Sequence, residues 1–191
     1  MPTIAFDMGG VLLTDGSQTA WTKIEHEFGI PAALSAELWY RELQQPADRG
    51  EIGESEIWSA LKGLGTGASE ADIRSTFLDE YVPIDQGVEA LRAAAVSGWR
   101  VMLATNNVST WVEYWKEKYD WMRLPVATVC SGDLGVRKPD PSFYEALVSA
   151  TTTWPAWFVD DKPENLLPAQ QLGYVPVHAA ESGRWLLPSF Q

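Results

Sequence analysis

The chain opens with a mostly apolar run, Thr3 to Phe6, that stops at Asp7 and meets Gly9 and Gly10 two residues later. That pattern predicts a buried strand feeding a tight turn. From about Ser17 to Asp79 the rhythm is helical. WTKIEHEFGI, AALSAELWYREL, SEIWSALKGL and SEADIRSTFL place apolar residues three and four apart, punctuated by Pro31, Pro46, Gly50 and the stretch GLGTGAS. After Pro83 helix and strand patterns alternate. GVEALRAAAVSG, STWVEYWKEKY, DPSFYEALVSA and ENLLPAQQLG read as helices, and WRVMLAT, PVATVCS, AWFVDD and YVPVHA as strands.

A first strand, a helical insertion and then repeated helix–strand units predict an α/β core with a parallel sheet. The core is expected over 1–14 and 85–191, and an all-helical cap over 15–84. The glycine-rich GLGTG (63–67) has no strand before it and reads as a loop, not a phosphate cradle.

Composition narrows the function. Acidic residues outnumber basic ones 26 to 14, a formal charge of −12. Such a surface argues against nucleic acid and anionic lipid as partners, while a bound cation can still reverse the sign locally for a small phosphorylated substrate. The single cysteine, Cys130, follows an apolar stretch and is expected to be a buried, inert thiol in a reducing compartment. With neither a leader pattern nor an apolar run of about 18 residues, a cytoplasmic protein is expected, as a monomer or homodimer. Ten tryptophans are unusually many, and several are expected to be half-buried or to line a cavity.

The chemistry lies at the C-terminal ends of the strands, where open parallel sheets bind ligands. The first strand ends in Asp7, the next in Thr105-Asn106-Asn107, and a later one in Asp160-Asp161; Lys138 follows the strand ending near Cys130. Three carboxylates, a hydroxyl, amides and an ammonium suit a divalent cation and a phosphoryl group. A carboxylate attacks phosphorus only when the phosphate charge is neutralised and the approach is in line. Mg²⁺ held by Asp7 and Asp161 would supply that neutralisation, with Lys138 as a second positive point and Thr105 and Asn106 as hydrogen-bond donors. Each residue also has a bland alternative. Asp7 could be a turn residue, Thr105 and Asn106 could cap the helix near Ser109, Lys138 could be solvated, and Asp160 and Asp161 could cap the helix at Pro163.

FDMGGVL, ATNN, RKPDPSFY and FVDDKPENL, in this order and spacing, resemble the four motifs of the haloacid dehalogenase superfamily. The likeness covers nearly the whole chain and is nearest to the sugar-phosphatase branch, similar to the phosphatase domain of soluble epoxide hydrolases. It implies a Rossmann-like core with a helical cap, and Asp7 as nucleophile and metal ligand. It also implies the Gly9 carbonyl as a second ligand, Thr105 and Asn106 on phosphate, and Lys138 stabilising phosphate and Asp7. Asp161, helped by Asp160, would complete the Mg²⁺ site, and Asn165 would support the loop.

One position departs from the pattern. Most phosphatases of the superfamily carry an aspartate two residues after the nucleophile as general acid, and here that residue is Gly9. Its loss typically removes about 10²–10⁴-fold of rate, so another group or a good leaving group must compensate. The expected activity is Mg²⁺-dependent hydrolysis of small phosphorylated metabolites, sugar phosphates among them. A haloacid dehalogenase and a catalytically weak binding module are the alternatives. In the cap, Arg41, Arg49, Trp39 and Tyr40 are candidates to face the substrate, although aromatics that pack the cap and solvated arginines are the commoner outcome for each. His26 and His178 stand away from the motifs and are assigned no role.

Overall fold

The structure, a computed structural model, describes residues 1–65 and 67–179. The last twelve residues of the expected core, and Thr66 of the GLGTG loop, lie outside the described residues. Five parallel strands form one sheet: β1 (Thr3–Phe6), β2 (Arg100–Thr105), β3 (Ala127–Cys130), β4 (Ala156–Asp160) and β5 (Val175–His178). Their order is β3-β2-β1-β4-β5, with Phe6 level with Leu103 on one side and Val159 on the other. The chain builds outward from β1 to β3 and then crosses back to β4. β1 therefore stands where the strand order reverses, and its carboxyl end opens on the crevice that such sheets use for ligands.

Alternation along the strands sorts the core into two layers. Ile4, Phe6, Val101, Leu103 and Val159 face one cluster, and Ala5, Met102, Ala104 and Phe158 face the other. The second layer is covered by α9 (Pro141–Ala150) and α10 (Pro163–Gln171), through Phe143, Tyr144, Leu147 and Ala169. The first takes α6 (Asp85–Val96) and α7 (Ser109–Lys118), and the short α8 (Ser131–Leu134) follows β3.

The insertion is helical as expected: α1 (Ser17–Phe28), α2 (Ala32–Leu38), α3 (Gln44–Asp48), α4 (Glu54–Lys62) and α5 (Glu70–Asp79). A reciprocal cap starts α5, with Ser69 Oγ accepting from the Asp72 N–H and the Asp72 carboxylate from the Ser69 N–H. Pro46 was expected to break the helical run, but it sits inside α3. A π-helical turn, Trp39–Leu43, joins α2 to α3, with the Gln44 N–H reaching back to the Trp39 carbonyl, and the chain stays helical past the proline.

The insertion does not have a core of its own. Trp21, Ile24, Trp39, Ile57 and Phe77 belong to the same buried cluster as Phe6 and Leu103 of the sheet. Trp111 of α7 lies between Trp39 and Trp58, with ring centroids at 5.6 and 5.4 Å and planes inclined by 26° and 24°. Such pairs add about 0.5–1.5 kcal/mol each beyond their area. Trp21, Trp39, Trp58, Trp111, Trp115 and Trp121 are all buried, more fully than expected of tryptophan. Glu54 at the start of α4 closes the contact. It accepts from Trp58 Nε1 (3.1 Å), Trp111 Nε1 (3.0 Å), Arg74 Nε (2.6 Å) and Thr110 Oγ1 (2.6 Å).

The inbound and outbound segments of the insertion are zipped together. The Thr14 N–H donates to the Val82 carbonyl and the Ile84 N–H to that of Leu12, both at 2.9 Å. Among the described residues no helix is long and apolar enough to cross a membrane.

Candidate active site

Asp7 follows β1 and is 6% exposed. Its Oδ1 accepts from the Met8 N–H at 2.7 Å, a turn bond of the kind a bland reading anticipates, and lies 2.9 Å from Lys138 Nζ. Lys138 is buried too. Its ammonium makes three contacts, with Asp7, with Asp160 Oδ2 at 2.7 Å and with the Ala104 carbonyl at 2.8 Å, so all three of its protons have protein acceptors. Burial works against the ammonium, but Asp160 and Asp7 outweigh it and raise the Lys138 pKa. Lys138 is no solvated surface lysine.

Asp160 is fully enclosed. Besides Lys138 it accepts from Asn165 Nδ2 at 2.9 and 3.1 Å and from the Lys162 N–H at 2.9 Å. Asp160 therefore both orients Lys138 and shapes the turn into α10. Asn165 clamps it, and the Asn165 carbonyl in turn accepts from Tyr144 Oη at 2.8 Å. Asn106 clasps the backbone of Lys138 from both sides, Oδ1 accepting from its N–H at 2.7 Å and Nδ2 donating to its carbonyl at 2.9 Å. Neither Thr105 nor Asn106 caps α7; it is Asn107 Oδ1 that accepts from the Val108 N–H just before that helix. Thr105 is buried at the end of β2, behind Asn106 and Asn107, and is not among the residues lining the cavity.

Asp161 differs from its neighbours. Among the described residues its buried Oδ1 has no hydrogen-bond partner, and ligand atoms of Asp7, Asp160 and Asp161 lie within 4.8 Å of one another. A buried carboxylate oxygen with no donor is expensive, and a hard divalent cation is the partner its chemistry suits. Gly10, at φ +73°, makes the approach possible: a Cβ there would lie 2.5 Å from Asp161 Oδ2. Burial and the Asp160 charge both raise the Asp161 pKa. Asp7 is pushed up to about 7, first by burial and then by Asp160 and Asp161, against the pull of Lys138. A cation at this spot restores the ionised form that a nucleophile needs. The donor set thus fits Mg²⁺, with the exposed backbone of Gly9 beside it on the cavity wall.

Above this floor is a cavity of about 610 Å³. Its wall mixes apolar and aromatic residues (Trp39, Tyr81, Ile84, Trp111 and Trp115) with polar ones (Thr14, Asp15, Gln44, Asp48 and Gln86). Arg41 and Arg49 are not brought to it. Arg41, inside the π turn, is exposed and pairs on the surface with Glu37 at 2.8 Å. Arg49 turns away to Glu51 at 2.6 Å. Tyr40 bonds Ser17 Oγ at 2.6 Å rather than lining the cavity. His178 contacts the Asp161 carbonyl at 3.0 Å, and Cys130 is buried with its thiol pKa raised by that burial.

Sequence reasoning missed most of the cavity wall, Lys162 and Asp48 among it. Lys162 had a visible signal, its place inside FVDDKPENL. Asp48 had none, because QQPADRG reads as a helix end.

The architecture is shared with known proteins. A haloacid dehalogenase-family enzyme of Bacteroides thetaiotaomicron, solved in complex with magnesium, superposes with a TM-score of 0.76 at 18% identity, over 97% of this chain and 96% of that one. The chain is 30% identical over 183 residues to the sesquiterpene phosphatase astK of Aspergillus oryzae, covering 93% of this chain and 89% of that protein. It is 24% identical over 175 residues to the chloroplast flavin mononucleotide hydrolase 1 of Arabidopsis thaliana, covering 91% of this chain and 70% of that protein. The family model for haloacid dehalogenase-like hydrolases matches residues 1–173. With that match running from the strand that delivers Asp7 through the helix that holds Asn165, the chain belongs to the haloacid dehalogenase-like hydrolases.

Proposed function

We propose that this hydrolase is a Mg²⁺-dependent phosphomonoesterase of small phosphorylated metabolites, working in the cytoplasm through an aspartyl-phosphate on Asp7. The observation that carries the proposal is the buried Asp7, fixed by Lys138, beside an Asp161 oxygen that has no partner among the described residues. A dehalogenase attacking carbon has no use for that oxygen, because halide departs without a cation.

In this reading Lys138 holds Asp7 in one rotamer and offsets the charge that gathers on the phosphoryl group. Asp160 and Asn165 position Lys138, so Asp160 acts through the lysine, whereas Asp7, the Gly9 carbonyl and Asp161 hold the cation. The cation supplies charge neutralisation for the approach of one anion to another. Asn106 fixes the Lys138 loop, Thr105 backs it from within the strand, and Lys162 adds a positive side chain on the wall. The mixed wall suits an organic group with both an apolar and a polar face. That favours terpenoid or flat ring phosphates over plain sugar phosphates, in keeping with the names of the two phosphatase relatives.

The test is release of phosphate from a panel of prenyl, flavin and sugar phosphates with Mg²⁺, with EDTA, and in Asp7→Asn. We expect turnover with Mg²⁺, none after chelation, and essentially none in a folded Asp7→Asn protein. Hydrolysis that survives chelation or the loss of Asp7 would sink the proposal.

A further inference from the structure

Position 9 has no side chain to protonate the departing oxygen, and the space for one is open. Among the described residues a Cβ built on Gly9 meets nothing within 4 Å, and its φ is outside the left-handed region. Among the described residues four carboxylates line the cavity: Asp7, Asp15, Asp48 and Asp161. Asp7 and Asp161 form its floor. Asp15 is spent on the start of α1, its Oδ1 accepting from the Ser17 N–H at 3.1 Å and from Ser17 Oγ at 2.7 Å.

Asp48 remains. It is 6% exposed, at the C-terminal end of α3, and its ion-pair partner is Arg137 Nη2 at 3.1 Å. Arg137 is the residue before Lys138, so the pair ties the insertion to the loop that holds the nucleophile.

We propose that Asp48 protonates the departing ester oxygen and then accepts a proton from the attacking water. The inference rests on the phosphatase reading above. In the first step the Asp7 oxygen bonds phosphorus, the bond to the ester oxygen breaks, and the Asp48 proton passes to that oxygen to give the alcohol. In the second, water attacks the phosphorus of the aspartyl-phosphate, Asp7 departs as carboxylate, and Asp48 takes the water proton. Phosphate leaves and Asp48 is again protonated. The charged groups facing Asp48 are Arg137, Lys162, Arg49 and Lys138. They pull against burial, which still pushes its carboxyl up to about 6, near the range where a side chain both gives and takes a proton at neutral pH.

The test uses the full chain with saturating Mg²⁺ and a series from p-nitrophenyl through phenyl to isopentyl phosphate, reading kcat/KM against leaving-group pKa. Wild type should give a shallow line. Asp48→Asn should give a steep one, with a loss of about 10²–10⁴-fold on isopentyl phosphate and little change on p-nitrophenyl phosphate. Gly9→Asp in the Asp48→Asn background should restore the alkyl substrate, since the space at position 9 is open. With isopentyl phosphate the rate falls as pH rises through the Asp48 pKa, because the donor is lost. Arg137→Gln removes a cation that favours the carboxylate, so this falling limb should move to higher pH.

A uniform loss across the series in Asp48→Asn, or none, would show that Asp48 only fastens the insertion. An unmoved limb in Arg137→Gln would say the same, even if Asp48→Asn failed to fold. The outcomes separate the two ideas: a dead Asp7→Asn beside an unchanged slope in Asp48→Asn overturns this inference alone, while active Asp7→Asn overturns the phosphatase reading beneath it.

Discussion

Gly10 shows how much one missing methyl can decide. Its φ of +73° and the 2.5 Å that would separate a Cβ from Asp161 Oδ2 leave no room for alanine unless the carboxylate moves. A cation held there would relieve the repulsion among Asp7, Asp160 and Asp161, so Mg²⁺ should raise the melting temperature of the wild type. The gain is about 2.7 kcal/mol at a hundred times Kd. Gly10→Ala should lose most of that Mg²⁺-dependent rise, and a full rise in a melting experiment would show that Asp161 is not displaced. The residues of this floor were legible in the sequence because each stands at a strand end, where position alone implies convergence. Their division of labour was not. That Asp160 serves Lys138 while Asp161 is left with a bare oxygen depends on a one-residue difference in direction that periodicity does not resolve.

At the level of elements the π turn has the largest effect on the site. Trp39 and Asp48 are nine residues apart, which in a regular helix at 3.6 residues per turn sets them about 180° apart. The inserted residue of a π turn takes back about 100° and brings Trp39, Gln44 and Asp48 to the same cavity. Deleting exposed Glu42 removes the inserted residue together with the turn, leaving Trp39 and Asp48 eight residues and about 80° apart in a regular helix, so both should still reach the cavity and turnover and thermal stability should change little. Loss of most turnover in a folded deletion variant would show that the turn does more than absorb one extra residue. Sequence reasoning correctly placed helices on either side of this turn but broke the run at Pro46. It also put weight on Arg41 and Arg49, which the same rotation leaves on the surface. An unstrained proline within the first turn of α3 gives no outward sign that the helix before it has been widened.

In the molecule as a whole, the sheet and its helices were readable because each strand is a short apolar run bounded by turn residues. The way the insertion sits was not. Its tryptophans read as a cap core or a cavity lining, yet they form one cluster with α7 of the catalytic core, an arrangement set by tertiary packing of residues from 21 to 115 in the chain. Glu54 is its electrostatic anchor. Burial opposes the charge, but bonds from Thr110, Trp58 and Arg74 prevail and lower its pKa below the ordinary value. A depressed carboxyl contributes stability that is complete above its unfolded pKa, near 4.3, and fades as pH falls through the folded value. Glu54→Gln should therefore cost about 1.5–3 kcal/mol at neutral pH, with the gap to wild type closing in acid; a gap independent of pH would rule out the charge as the source. The three indoles stacked through Trp111 also have an optical consequence. Rings at 5.4 and 5.6 Å couple their electronic transitions, so Trp39, Trp111 and Trp58 should give an exciton couplet in circular dichroism only while insertion and core are docked. The protein thus carries its own unlabelled gauge of docking, read as the part of the signal that Trp111→Phe removes, since Trp99 and Trp157 at 4.7 Å couple independently of it.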